Sequence, residues 1–425
     1  MASDRTQPSA VTNAAGVLRH GKLWIAPGVL TGLLALLLSL LYMGGVLTPE
    51  SSLHRLPIAL VNQDTGMPLP GSRKNLGTEV SDEIIASTSD NDVQWHRLSH
   101  GSAQDQLASG KVYGALVIPR DFTSAVRSLA GTHASRPTLT VLTNPGLGSL
   151  GSSMAGKISE QAAHQASSAI GKQLSASPEF VRAPSATRLL LADPVAVDTR
   201  VGHPIGSHSG LGLSAFYYVL LLVLTGFLGG NIIHSSADTA LGYTDAEIGP
   251  WHSRRPTVPI NRTQTLLLKM GMTAGLCVPI TALVMIACII ILGMDAPHLF
   301  MLALFSYCSC LAVGLGVQAI NAAFGNIGQL VSMFVFIALA LPSSGATIPL
   351  EAVPGFYRFL ALFEPMHQLA SGIRAILYFD ARADAGLTRG WIMIGVGIIG
   401  AIVFGFLVTR YYDRRGLRRM VPQPG

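Results

Sequence analysis

Six stretches of this 425-residue chain run for about twenty residues with almost no charge, near Ile25 to Leu47, Leu211 to Ile233, Gly271 to Met294, Leu299 to Ala322, Ile327 to Ile348 and Trp391 to Thr409. A helix needs about 20 apolar residues to cross the hydrocarbon of a bilayer, and each stretch meets that requirement. Only 12% of the residues are charged and 49% are hydrophobic, against about 25% charged in ordinary soluble domains. The expected fold class is therefore an α-helical polytopic membrane protein with six transmembrane helices. The first stretch has an apolar core too long for a signal-peptide h-region and no Ala-x-Ala site after it, so it reads as a retained anchor.

Basic residues set the expected orientation. Arg19 and Lys22 precede the first span, Arg254, Arg255, Arg262 and Lys269 lie between the second and third, and Arg410, Arg414, Arg415, Arg418 and Arg419 follow the sixth. With six spans all three clusters share a side, which the positive-inside rule makes the cytoplasm. Both termini are expected there, in a cell (plasma) membrane of bacterial type. The net charge of +6 is explained by these flanks without nucleic acid as a partner. The divisions that follow are a cytoplasmic segment 1–24, a first helix 25–47, an extracytoplasmic α/β domain 48–210, helices 2–6 over 211–409 and a basic tail 410–425. The segment from Thr48 to Gly210 holds 13 basic and 13 acidic residues, as suits an outside domain.

That inserted domain opens with "IALVNQDTG" (Ile58 to Gly66), a short strand entering a tight turn. Asn62-x-Asp64 has the look of a guanine-reading motif, but no phosphate loop accompanies it, and the turn reads as structural. Val93 to Ser99, Lys111 to Pro119 and Pro137 to Thr143 read as further strands. Ser102 to Ser109 and Asp121 to Leu129 read as helices between them. Gly146 to Ser175 places Met154, Ile158, Ala162 and Ala166 at helical spacing, a long, weakly apolar helix that packs on a partner or stands off the sheet. Ser177 to Gly210 shows no regular pattern.

Function is sought among polar groups inside or beside the spans. Asn231, Gln318, Asn321, Asn326 and Gln329 are candidates for a substrate path, with interhelical hydrogen bonding as the plainer alternative. Gly226 with Gly230, and Gly397, Ala401 and Gly405, read as close-packing faces. After Pro349 and Pro354, a segment from Glu364 to Leu377 is amphipathic, with Glu364, His367, Gln368, Ser371 and Arg374 on its polar side. Glu364, His367 and Arg374 are candidates for an outer re-entrant or gate element, with a bystander interfacial helix as the alternative; His367 and Glu364 read as a proton-sensitive pair or, more plainly, as part of a solvated polar face. On the inner side Asp245, Glu247, Arg254 and Arg255 mark a loop where an ATPase would dock, or one that only fixes topology. Asn261-Arg262-Thr263 matches a glycosylation sequon but falls on the inner side and is set aside.

"PIALVNQDTG" (Pro57 to Gly66), "GKVYGALVIPRDFT" (Gly110 to Thr123) and "HPIGSHSGLGLSAFYYVLLLVLTGF" (His203 to Phe227) resemble the YhgE/Pip family of phage infection protein-like membrane proteins. Leu341 to Asp380 is similar to type 2 ABC exporter permeases. The resemblance implies a permease subunit energised by a separate ATP-binding subunit, and a homodimer or heterodimer in contact with membrane lipid. The chain has no Gly-x4-Gly-Lys-Ser/Thr loop of its own, no Gly-x-Ser-x-Gly and no His-Glu-x-x-His, so no enzymatic activity is expected of it. No cofactor or metal is expected either: Cys277, Cys288, Cys308 and Cys310 all fall in apolar runs without zinc spacing. The competing expectation is a cell-surface receptor or secretion scaffold in which the spans only anchor the outer domain.

Overall fold

The computed structural model describes residues 21–45, 47, 49–68, 74–129, 136–176, 190–253 and 255–417. The segment 1–20, Arg254, and Arg418 with Arg419 of the tail lie outside the described residues.

Five strands form one mixed sheet. β1 (Leu56–Asn62) lies between β2 (Val93–Arg97) and β3 (Gly114–Ile118), parallel to both; β4 (Thr138–Thr143) runs antiparallel to β3, and β5 (Ala196–Val201) parallel to β4. β3 is buried at every position, and β1 from Ile58 to Val61. Both faces of the sheet are therefore covered, which is why these strands read as continuous apolar runs rather than as an alternation. Leu60, Leu116 and Leu139 pack toward α2 (Leu76–Ser87), α4 (Phe122–Ser128) and α5 (Ser149–Ser175), while Ala59, Val61 and Ala115 pack toward α3 (His100–Ala108). The helical stripe of α5 lies on the sheet, with Ala162, Ala163 and Ala166 buried against it, and does not stand off.

The turn after β1 is held by one carboxylate. Asp64 Oδ1 accepts the backbone N–H of Gly66 (3.0 Å) and of Thr123 (3.2 Å), and Oδ2 accepts that of Gly77 (3.0 Å) and the Thr123 hydroxyl. Thr123 and Gly77 belong to the first turns of α4 and α2, so Asp64 satisfies donors that two helix starts would otherwise leave unpaired. It fills internally the place where such helix ends attract an anion. Asn62 Oδ1 accepts the Asp64 N–H at 3.0 Å, which fixes the carboxylate. The motif is architectural.

Four helices among the described residues are long and apolar enough to cross a membrane, and they mark the chain as a helical membrane protein. They are α6 (Ser214–Ala240), α7 (Arg262–Met285, extended by a π-helical stretch to Ile291), the 45-residue run Leu299–Ser343, and α13 (Leu387–Arg414). Two of the expected spans share the 45-residue run. Its first leg, α8 (Leu299–Phe324), stops at Gly325, whose φ of +62° ends the helix. The second leg, from α9 (Gly328–Met333) through a π turn to α10 (Ala340–Ser343), folds back along α8. A Cβ added at Gly316 would stand 2.6 Å from the Phe336 ring, so the two legs touch closely. The first apolar stretch forms α1 (Gly21–Met43), whose Leu41 packs with Ala338 and Tyr357. Gly226 and Gly230 meet Val313 and Val317 of α8, and Gly405 meets Leu266 and Ala319, so both small-residue faces are packing surfaces.

The bundle has two distinct ends. At one, the α/β layer sits on the ends of the helices beside α11 (Gly355–Leu360) and α12 (Pro365–Tyr378). At the other, Asp413 accepts from the N–H groups of Arg262 (3.0 Å) and Thr263 (3.1 Å), tying the last helix to the start of α7. Here the sequon residue Asn261 is the N-cap of α7, in a capping box with Gln264. The loop before it holds a two-stranded hairpin, β6 (Ala246–Ile248) and β7 (Trp251–Ser253).

Three elements differ from the sequence reading. Helix α2 went unread because its apolar residues, Leu76, Val80 and Ile84, are few and its flanks are polar. Strand β5 carries Asp198, Thr199 and Arg200 and has half-buried or exposed positions throughout; as an edge strand it lacks an apolar signature. The loop holding Asp245 and Glu247, read without regular structure, forms the 246–253 hairpin.

Replacing Asp64 by alanine removes the shared acceptor of two helix starts. The full chain should lose about 2–3 kcal/mol of stability, read as an earlier thermal transition in detergent, whereas Asn62→Ala should lose less.

Candidate functional site

The α/β layer and the bundle are locked together through the end of α12. Phe379 is fully buried, and its ring fills a socket in which a Cβ at either Gly110 or Gly146 would come within 2.9 Å of it. His203 stacks on the ring with centroids 5.4 Å apart and donates from Nε2 to the Tyr378 carbonyl at 2.8 Å. The Tyr378 hydroxyl lies 2.7 Å from Ser214 Oγ and accepts the Ala215 N–H at 3.0 Å, which pins α12 to the first turn of α6. Asp380 and Ala381 then take φ values of +51° and +52°, a conformation costly for side-chain-bearing residues. The turn delivers Arg382 to Asp105 of α3 at 2.9 Å, and Lys111 reaches Asp384 at 2.7 Å.

Beside this lock lies a chamber of about 880 Å³, walled by residues 109–113 of the α/β layer, the segment Gly345 to Leu362, and the polar side of α12. Gln368, Ser371, His367 and Arg374 all face it. The polar side of α12 thus lines a half-open cavity between the α/β layer and the bundle. Arg374 is 6% exposed; its Nη1 and Nη2 donate to the carbonyls of Gly345 (3.3 Å) and Ala346 (2.8 Å), while Nε has no partner. Burial lowers its pKa from the usual value, with Tyr113, Tyr378 and Glu351 acting in the opposite sense; a guanidinium keeps its charge under such shifts. Glu351 accepts the Tyr113 hydroxyl at 3.0 Å, and burial pushes that phenol well above its ordinary range. His367 directs Nδ1 to the Ser344 carbonyl at 2.9 Å, and burial lowers its pKa.

Glu364 does not pair with His367. It caps α12, accepting the Met366 N–H at 2.7 Å, and it is 4% exposed with Oε1 unpartnered. Burial raises its pKa to about 8, against the pull of the Met366 and His367 backbone N–H groups. The carboxyl is therefore protonated at neutral pH.

The path candidates separate into two groups. Gln318 donates to the Gly230 carbonyl (2.8 Å) and to Thr273 (3.2 Å), and Asn321 donates to Asn231 at 3.0 Å, so α6, α7 and α8 meet along a buried polar seam. Asn326 and Gln329 are exposed at the α8–α9 turn and join none of this. Toward the hairpin end stands a cluster the sequence reading missed: Lys269 and Asp238 form a 2.7 Å ion pair, with His234 3.3 Å from Asp238 and 3.0 Å from Lys269. Lys269 is 2% exposed and Asp238 7%. The available signal was the His234/Asp238 spacing of four, which places both on one helix face. Counting Lys269 as a topology marker hid it.

Of the docking candidates, Asp245, Glu247 and Arg255 are exposed on or beside the hairpin, whose Trp251 is 75% exposed. Among the described residues no group of His, Cys, Asp and Glu is arranged to hold a metal.

The raised pKa of Glu364 has a definite sign. Between about pH 4.5 and 8 the unfolded carboxyl ionises while the folded one stays protonated, so stability is present at low pH and falls as pH rises through that window. Glu364→Gln keeps an acceptor for Met366 N–H without the charge, and it should raise the thermal transition by about 3 °C or more at pH 9 and change it little at pH 5.

No solved structure matches the chain. Over 121 residues it is 29% identical to the uncharacterized protein YhgE of Bacillus subtilis (strain 168), a match covering 28% of this chain and 15% of that protein's length. A family model described as a protein of unknown function (DUF3533) matches residues 28–397, most of the chain, which therefore belongs to the DUF3533 family.

Proposed function

We propose that this protein is the membrane-embedded subunit of an exporter of the type 2 ABC permease kind, moving a substrate out of the cytoplasm with ATP hydrolysed by a separate subunit. In this reading six helices span a bacterial-type cell membrane, counting α1 and both legs of the Leu299–Ser343 run, and both termini lie in the cytoplasm. The α/β layer is then outside, and a second copy or a related chain completes the path.

The observation that carries the reading is the chamber shared by the α/β layer and the bundle. A domain merely displayed on anchors has no need of a joint cavity, nor of the Phe379 socket and the Asp105–Arg382 pair that fix it to the helices. Those contacts favour export over the receptor or scaffold alternative. The buried Asp238–Lys269–His234 cluster supports it from the other end, because ionisable groups held inside a helix bundle are costly unless they serve a path or a switch. The exposed hairpin between α6 and α7 is the proposed contact for the ATPase, with Asp245, Glu247 and Arg255 beside Trp251.

Replacing residues 246–253 with a short Gly-Ser turn should leave insertion and thermal stability unchanged and abolish export together with copurification of an ATPase. Full export by that variant, or in cells lacking every candidate ATPase, would contradict the reading.

A further inference from the structure

The geometry points to the chamber as a binding site for the anionic headgroup of an amphiphile, with Arg374 as its fixed counter-charge and the aromatic side of α11 as the place where the apolar tail lies. This names a substrate class for the exporter reading and rests on it.

The chamber is lined by four fixed cations, Lys111, Arg358, Arg374 and Arg389, against two carboxylates, Glu351 and Asp384. Asp384 is already engaged by Lys111 at 2.7 Å and by Arg382 at 3.3 Å, and Glu351 accepts from Tyr113; among the described residues neither forms an ion pair with Arg358, Arg374 or Arg389. A buried guanidinium normally has a carboxylate partner, since removing its hydration costs several kcal/mol. Arg374 donates to two backbone carbonyls, which carry partial charge, feels Glu351 without a direct ion pair to it, and keeps its Nε left over. Arg358 has a second unpartnered buried donor, Nη1. Two guanidinium groups border one cavity, and each keeps a covered N–H that no protein group accepts; their combined charge suits a phosphate or carboxylate. Neutral Glu364 behind the wall does not cancel the field.

The rim of the chamber is apolar. Arg358 and Leu362 line the chamber, and Leu362 with the neighbouring Phe356, Phe359 and Phe363 is 59–67% exposed. Tyr357, between them, packs on Leu41 of α1 and donates its hydroxyl to the Leu41 carbonyl at 3.0 Å, which sets this strip at the ends of the membrane helices. Exposed, purely apolar Phe and Leu side chains at that level form a patch suited to lipid contact. A chamber whose rim is both cationic and lipid-facing accepts a molecule with an anionic head and an apolar tail.

The site can be read directly with the full-length protein in phosphatidylcholine nanodiscs, carrying Ser371→Cys on the chamber wall. The parent protein serves as the blank, because Cys277, Cys288 and Cys310 are buried and Cys308 half-buried. An anionic methanethiosulfonate should modify the new thiol about tenfold faster than a cationic one, as expected of a cationic cleft. Phosphatidylglycerol in the nanodisc should slow modification several-fold, and inorganic phosphate at matched concentration should do so far less. Arg374→Gln should remove most of the charge preference and the protection. Arg358→Gln, at a half-buried rim position, should remove part of both if the first variant fails to fold. Equal rates for the two reagents, equal protection by phosphatidylcholine, protection by inorganic phosphate alone, or an unchanged preference in the arginine variants would overturn the proposal. Because occupancy is read without partner or energy source, lost export with intact protection counts against the export reading alone. Lost protection with intact export counts against the site alone.

Discussion

The seating of Phe379 between Gly110 and Gly146 is the contact on which the rest of the molecule depends. Any side chain at either glycine would occupy the space of the ring. Because the ring sits at the end of α12, the helix is fixed at once to the α/β layer and, through Tyr378, to the first turn of α6. The strained turn at Asp380 and Ala381 persists because the Phe379 socket holds the residue before it and the Asp105–Arg382 and Lys111–Asp384 pairs hold the segment after it. Loosen the ring, and the wall bearing Arg374 and Gln368 loses its position against residues 109–113.

Two polar regions at opposite ends of the bundle then acquire a common logic. At one end is the chamber, rich in guanidinium groups and bordered by exposed aromatic rings; at the other is the buried ion pair of Lys269 and Asp238 with His234 beside it. Between them Gln318, Thr273, Asn321 and Asn231 cross-link three helices. Each hydrogen bond of this kind is worth about 0.6 kcal/mol in membrane proteins, so the seam is a modest adhesive that a conformational change can break. A strong apolar zipper would resist such a change more firmly.

Much of this was legible in the sequence, and the exceptions share a cause. Apolar length identified the four membrane-length helices, and alternation into a turn identified β1 and β-branched content identified β3, although burial on both faces makes each strand apolar throughout its middle. Asp64 was readable as a turn residue, but its reach to Gly77 and Thr123 was not, since those partners come from separate parts of the chain. Glu364, His367 and Arg374 were picked out by helical spacing. Spacing shows which side of the helix they take and not what that side meets, so it could not tell that His367 and Arg374 border a cavity while Glu364 is buried behind it. Lys269 was hidden for a related reason: a lysine near a helix end serves equally as a topology marker or as half of a buried pair, and only the position of Asp238 decides.

The account stands on a molecule with its α/β layer and its hairpin on opposite sides of a bilayer. An impermeant maleimide applied to intact cells tests that arrangement most directly, with single cysteines placed at exposed Asp90 in the α/β layer and exposed Trp251 in the hairpin. Asp90→Cys should label without permeabilisation and Trp251→Cys only after it. Labelling of both positions in intact cells, or of Trp251→Cys alone, would contradict the account.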